Sequence, residues 1–449
     1  MTPPARIVLD VSSILRWTGP PVGILRVEQE LARHGLAAEP DVVPAFFDPR
    51  RGVFRALNPA WRDRLLGAEA AIDHVTLDWR RQRRLWQNLA SPRYPAAMAL
   101  ERLRLAGHGW AAQAQRRLLG AYVHHAPFGA PGVRHAVVPL DMALGATLAL
   151  GPRDRLLLAG SGWARARAAA AHGMEAGARL VPLCYDLIPL LHPEWFPPEE
   201  LPDFEAYWAA LLPAAARVLC NAACVAEDIT RHAATLGHRI APPSVLPLGF
   251  APPPPVPPAP LPPPLSPGRF ALFVSTIEPR KGHAALLAAW RRLVAEGVPQ
   301  RADFRLVFVG RPGWMVEAVL RALPDADGAL GGRVLHLRHV DDATLRRLLA
   351  DCAFTLYPSR YEGFGLPIIE SFAAGKAVIA STGGAVPETV GGLSPCLDPL
   401  DVDAWTATLG AWIADPAARA PWEARIARQF RPLHWPEAAA GIFAATRAA

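Results

Sequence analysis

Ser359-Arg360-Tyr361-Glu362-Gly363-Phe364-Gly365-Leu366-Pro367-Ile368-Ile369-Glu370 is the run on which the reading of this chain turns. Two glutamates bracket a Gly-x-Gly turn and a proline. Residues 352–357, just before it, read as a short buried strand. Residues 366–374, just after it, read as a helix with Pro367 in its first turn, where a missing N–H costs nothing. Glu362 is thereby placed on the loop at a strand's carboxyl end, and Glu370 on the helix about two turns further on. The N–H groups of Gly363, Phe364, Gly365 and Leu366 fall at a helix N-terminus without intrahelical partners, and glycines let a ligand approach that backbone. Amide donors for phosphate or hydroxyl oxygens, with carboxylates for sugar and ribose hydroxyls, suit a polyhydroxylated, phosphate-bearing ligand. The plainer alternative is a strand-turn-helix with solvated glutamates.

Outward from that run, 449 residues suffice for two domains or more, each with its own core. With 51% apolar and 19% charged residues the chain reads as globular rather than disordered. The formal charge of +7 permits a phosphate-rich ligand or an anionic membrane surface and decides neither. No nucleic-acid motif is present, so no nucleic-acid partner is expected. Cys184, Cys220, Cys224, Cys352 and Cys396 are scattered, and no second close pair completes a zinc site. They read as buried, reduced thiols. The histidines lack metal-ligand spacing. Met1 leads through Thr2-Pro3-Pro4 straight into a strand, and no apolar stretch is long enough to span a bilayer. A cytoplasmic protein, soluble or peripheral at the inner face of the plasma membrane, is expected.

Residues 251–268 are mostly proline and should run as a stiff extended connector. They divide an N-terminal domain, 1–250, from a C-terminal domain, 269–433, with a final helix at 434–449. In the first half strand candidates at 7–11, 135–138, 155–159, 179–184, 217–220 and 244–248 alternate with helical stretches. The same rhythm returns at 270–275, 304–309, 334–337, 352–357 and 377–380. Runs such as Ala271-Leu272-Phe273-Val274 are apolar on both faces, as parallel strands covered by helices must be. Strand-helix alternation in both halves argues an α/β protein of two Rossmann-like domains, with ligands outside the strands' carboxyl ends. Residues 77–120 break the rhythm: they read as helical, basic and dotted with tryptophan. That insertion is either an amphipathic element with a solvated basic face or a surface for anionic lipid.

Three further stretches carry chemistry. Ser275-Thr276-Ile277-Glu278-Pro279-Arg280-Lys281-Gly282 ends a strand and opens a helix, so Arg280 and Lys281 can point at a diphosphate. Cations fixed there would stabilise negative charge that grows on a bound phosphate group. Val181-Pro182-Leu183-Cys184-Tyr185-Asp186-Leu187-Ile188-Pro189 runs from strand to turn, and Asp186 is either a turn residue or a group facing substrate. Near the N-terminus Gly19-Pro20-Pro21-Val22-Gly23 precedes a helix at 24–33, with Gly35 as its C-cap; Gly23 could admit a diphosphate to the helix start. Asp341 or Asp342 reads as an N-cap, and Asn221 as a weaker candidate at a strand end.

The run at 359–370, continued by Gly375-Lys376-Ala377-Val378-Ile379-Ala380-Ser381 and Gly383-Gly384-Ala385-Val386-Pro387-Glu388, closely resembles the donor-binding signature of retaining glycosyltransferases of the GT-B fold, in particular glycosyltransferase family 4. Glu278-Pro279-Arg280-Lys281-Gly282 is similar to that family's phosphate element, Asp186-Leu187-Ile188-Pro189 to its acceptor-domain element, and Gly23-Ile24-Leu25-Arg26-Val27 to the opening of members in polysaccharide assembly. The resemblance implies the GT-B architecture, two Rossmann-like domains facing across a cleft. It implies Lys281, Arg280 and Gly23 near the diphosphate, backbone near Val340 at the base, Glu362 with the Gly363–Leu366 amides at the donor sugar, Glu370 at the ribose, and Asp186 at donor sugar or acceptor. Lys281, Glu362 and Asp186 are the residues it makes catalytic. Two positions depart from the pattern: Tyr185 stands where relatives carry histidine, and Ser275 where many carry arginine.

The implied activity is transfer of a hexose, mannose first, from a nucleotide diphosphate sugar (GDP-mannose or a UDP-sugar) to a glycan or lipid-linked acceptor, with no metal and no further cofactor. A nucleotide-sugar epimerase on the same fold and a non-catalytic sugar-nucleotide-binding subunit are the alternatives.

Overall fold

The computed structural model describes residues 5–16, 23–59, 62, 74–76, 135–137, 144–252, 259–324 and 328–449. The loop 19–22, the insertion 77–120 and residues 253–258 of the proline tract lie outside the described residues. By internal contacts the chain forms two units. One comprises Met1–Leu183, Ala210–Arg217 and Ala439–Ala449; the other comprises Cys184–Ala209 and Val218–Ala438.

The first unit is built on parallel strands in the order β8 (Arg179–Cys184), β7 (Arg155–Leu158), β1 (Ile7–Asp10), β2 (Val42–Asp48). Antiparallel β3 (Val53–Leu57) and β6 (Leu144–Leu148) extend it. A separate parallel pair joins β4 (His74–Thr76) to β5 (His135–Val137). Ile7, Val8 and Leu9 are fully buried, as expected of a strand covered on both faces. β2, β3 and β6 were not legible as strands. Pro44 interrupts the first, a residue that removes a ladder donor, and Arg55 and Gly145 weaken the other two.

The helix Ile24–Ala38 buries Val27 and Leu31 as its periodicity predicts, but it does not stop at Gly35. Its last carbonyl bond is Glu39 N–H to Gly35 O at 2.9 Å, and the helix passes through the glycine. A Cβ at position 35 would stand 2.7 Å from Val42 Cγ1 and 3.1 Å from Phe443 Cζ. Gly35 is there for close packing of helix on strand rather than as a cap. Phe443 lies on the terminal helix Trp435–Ala448, and Arg447 of that helix pairs with Asp41 at 2.6 Å and with Glu39.

The second unit holds a short parallel pair, β9 (Leu219–Cys220) and β10 (Ser244–Val245), and a six-stranded parallel sheet. The sheet comprises β11 (Phe270–Val274), β12 (Arg305–Val309), β13 (Val334–Leu337), β14 (Phe354–Tyr357), β15 (Val378–Ser381) and β16 (Cys396–Leu397). Its order is β13-β12-β11-β14-β15-β16. Counted from β11 that is 3-2-1-4-5-6, the doubly wound order whose direction reverses between the first and fourth strands. The core is aromatic: Phe354 stacks on Phe304 with centroids 5.8 Å apart and meets Trp412 edge-on at 5.2 Å. Trp290 is fully buried and still donates its indole N–H to Leu330 O at 3.2 Å, as a buried tryptophan must.

The proline tract was expected to run as a stiff extended connector. Its described residues 259–268 lie on this sheet: Leu261 and Leu265 pack against the cluster of Phe270, Leu272, Val307, Val309 and Leu348. Leucines spaced among prolines give an otherwise extended segment apolar anchors. No helix among the described residues is long and apolar enough to cross a membrane.

Candidate active site at the sheet's switch point

Two loops leave the carboxyl ends of β11 and β14, the adjacent strands between which the sheet reverses. The first turns at Pro279–Lys281 and enters the helix His283–Ala295 through Gly282, at φ 78°. A Cβ on Gly282 would fall 2.1 Å from the Pro358 carbonyl oxygen, so only glycine lets this turn touch the neighbouring loop. Arg360 N–H then donates to Arg280 O at 2.6 Å and fixes the pairing of the loops.

The side chains that meet there are charged and buried. Glu362, 6% exposed, accepts from Lys281 Nζ at 2.5 Å and from Arg280 Nη1 at 2.7 Å. Arg280 also donates to Tyr361 O at 3.3 Å, and its Nε lies 3.1 Å from Glu278 Oε2, too far out of line to count as a hydrogen bond. Burial alone would raise the Glu362 carboxyl, but the charges of Arg280 and Lys281 outweigh it and hold the group at about 2. Lys281 is pulled below its ordinary value by burial and by Arg280, with Glu362 opposing. Arg280 gains more from Glu362 and Glu278 than burial takes away, and stays charged. His283, next on the helix, is driven down to about 3 by burial and by Lys281; its ring lies neutral against Phe273 and Phe308 and adds no third cation.

Asp186 belongs to this cluster. Its Oδ1 accepts the N–H of Ile188 at 3.0 Å, which makes it a turn residue. It also feels Arg280, Glu362 and Lys281, although burial is the larger influence and raises its carboxyl. Asp186 is thus a turn residue that also lies within the field of the charged cluster. It is brought close by Gly363, whose imagined Cβ would sit 1.9 Å from Tyr185 O and 2.9 Å from Asp186 Cβ. Gly363 thereby seats the loop on the Tyr185-Asp186 backbone.

Gly363, Phe364 and Gly365 precede the helix Leu366–Ala373, and their N–H groups donate to no group of the described residues. Phe364 O accepts the Thr389 hydroxyl at 2.8 Å. Glu370 is half-buried on that helix, and its charge reaches Tyr357, whose phenol is pushed up by burial and by Glu362. Val340 follows β13 beside Asp341, which caps the next helix through Thr344 N–H at 2.7 Å; its side chain packs on the Leu348 cluster. Gly23 belongs to the first unit, at the N-cap of Ile24–Ala38 with φ 53° and nothing within 4 Å of an added Cβ. Glu278 and Tyr357 were not singled out from sequence; both come into play only because β11 and β14 are neighbours. Among the described residues no group of three His, Cys, Asp or Glu side chains could hold a metal ion.

A 3-2-1-4-5-6 sheet with a basic pair and a glutamate at its switch point, alongside a second α/β unit, defines a protein of the GT-B fold. Residues 268–415, with the whole six-stranded sheet in them, match the family described as Glycosyl transferases group 1. The O-antigen chain mannosyltransferase B of Escherichia coli is 36% identical over 166 residues, 37% of this chain and 42% of that protein. The serotype-specific mannosyltransferase WbdA of Escherichia coli is 32% identical over 212 residues, 44% of this chain and 25% of that protein. The chain thus spans less than half the length of these relatives. Among solved structures, Anabaena HepE in complex with UDP and glucose matches with a TM-score of 0.54 at 15% identity, over 99% of this chain and 100% of its own.

Proposed function

We propose that the chain is a retaining glycosyltransferase of family 4. It moves a hexose, mannose first, from a nucleotide diphosphate sugar to a hydroxyl of a glycan or lipid-linked saccharide in cell-surface polysaccharide assembly. The observation that carries this is the buried Lys281–Glu362–Arg280 triad beside the open amides of Gly363 to Gly365. Both cations are engaged by one carboxylate. An entering diphosphate takes over that role and frees Glu362 for the hydroxyls of the sugar. As the bond from anomeric carbon to phosphate oxygen breaks, its electron pair passes to the diphosphate, where Lys281 and Arg280 meet the growing charge. The acceptor oxygen bonds the same face of the carbon, and its proton passes to a phosphate oxygen. Asp186 faces the donor sugar, Glu370 the ribose, and Val340 backbone the base. No metal takes part in this scheme. The mannosyltransferase relatives favour mannose. The basic composition suits peripheral contact with an anionic inner membrane face.

The test is product analysis with purified protein, GDP-mannose or UDP-glucose, and a saccharide acceptor. A new glycoside with the donor's anomeric configuration supports the proposal. An isomerised sugar nucleotide would mean an epimerase, and no product with either donor a binding subunit. Lys281→Ala should lower transfer by about a hundredfold or more, since it removes a fixed charge at the leaving group. Wild-type turnover in that variant would remove Lys281 from the mechanism.

A further inference from the structure

The helix Ala223–Thr235 begins after Ala222, whose side chain can cap nothing. Its first N–H groups are taken by a carboxylate far away in sequence. Ala223 N donates to Glu388 Oε2 and Cys224 N to Glu388 Oε1, both at 2.7 Å. A carboxylate there satisfies two orphan donors and meets the positive end of the helix dipole. One turn on, Asp228, 4% exposed, accepts the Tyr361 hydroxyl at 2.5 Å. Cys224 Sγ lies 3.2 Å from that same oxygen. Tyr361 immediately precedes Glu362. The carbonyl of Glu362 accepts the N–H of Ala385 at 2.9 Å, beside a bridge to Gly384. Ala385 leads directly into the short helix Val386–Val390, which carries Glu388.

These links close on themselves: Tyr361 to Glu362 along the chain, Glu362 to Ala385, Ala385 to Glu388, Glu388 to the helix start, then Asp228 back to Tyr361. Each is a hydrogen bond or a few residues of backbone. The circuit holds the main chain of Glu362 from two sides, while its carboxylate faces Arg280 and Lys281.

We propose that Tyr361, Asp228 and Glu388 are positioning residues that hold Glu362 in register with the two cations, with the helix Ala223–Thr235 as the rigid member of the circuit. None of the three touches the reacting atoms. Their catalytic consequence rests on the transferase reading above; the mechanical coupling does not. A carboxylate displaced by even 1 Å from its productive place costs up to about a hundredfold in rate, so such a circuit has something to protect.

The test uses the full chain as wild type, Tyr361→Phe, Glu388→Gln, the two combined, Asp228→Asn, and Arg231→Ala as control. Arg231 pairs with Asp228 at 3.3 Å but is largely exposed and lies off the circuit. Amide hydrogen exchange is followed at Ala385, Ala223 and Cys224, and turnover and KM are measured with the sugar nucleotide. Tyr361→Phe removes one hydroxyl and no carbon. It should speed exchange at Ala385 by about tenfold, a coupling of ordinary size for contacting groups. Turnover should fall comparably while donor KM and melting temperature hardly move. The double variant should lose little more than either single one. Asp228→Asn, which keeps an acceptor for the Tyr361 hydroxyl, should stay near wild type, as should Arg231→Ala. Unchanged exchange at Ala385 in Tyr361→Phe, or losses that simply multiply in the double variant, would overturn the proposal. Normal coupling in the exchange data with no transfer by wild type would instead defeat the transferase reading and leave the circuit standing.

Discussion

At the scale of single residues, Glu362 ties the protein's acid stability to its site. Its carboxyl is held at about 2 in the folded state against an ordinary 4.5. The folded chain keeps it ionised where the unfolded chain takes up a proton. The stabilisation is complete above about pH 4.5 and is lost as the pH falls toward 2, amounting to about 3 kcal/mol for such a shift in a buried group. Denaturant melts across that window should show a steep acid limb in wild type and a flatter one in Glu362→Gln; equal slopes would contradict the pairing. Gly363 offers a second prediction. A Cβ only 1.9 Å from the Tyr185 carbonyl meets backbone, which no rotamer can relieve. Gly363→Ala should therefore push the loop off Asp186 and cost transfer about a hundredfold, and a turnover assay showing less than a threefold change would refute it. The residues of the triad stood out in the sequence because glycine, proline and charge mark the loops on which they lie. The partnership within the triad was not, since it depends on which strands are adjacent. Nor was the role of Glu388. The only trace in the sequence is negative: Asn221-Ala222-Ala223 opens a helix without a capping side chain.

At the scale of elements, helices and apolar parallel strands were readable, and strands carrying Pro44, Arg55 or Gly145 were not. The helix Ile24–Ala38 shows a further limit of local reading. A glycine near a helix end suggests a cap, but Gly35 serves contact with Val42 and Phe443, residues the helix meets only after folding. Gly35→Ala sets two effects against each other. Helix propensity gains up to about 1 kcal/mol, whereas overpacking a filled contact costs about 1–3 kcal/mol. A Cβ 2.7 Å from Val42 Cγ1 makes overpacking the larger. The variant should melt lower than wild type, and adding Val42→Ala should restore part of the loss. A variant more stable than wild type would show that the helix can shift.

At the scale of the whole molecule, the second unit draws its chain from both sides of the proline tract. Phe250 N–H bonds Leu433 O at 2.8 Å, Trp435 N–H returns to Phe250 O at 3.3 Å, and beyond the tract Gly268 N–H bonds Asp351 O at 2.7 Å. Each end is moored independently, and Leu261 and Leu265 add apolar anchorage. Covalent continuity through 253–258 should therefore be dispensable for holding the second unit together. A specific protease site spliced in among those prolines should be cut to give two polypeptides that still migrate as one particle on gel filtration. They should part only in denaturant, and fragments that separate under native conditions would show that the tract itself is the tether. The same redundancy marks this tract as the place where the gene could be divided and its halves expressed apart, to reassemble without a link.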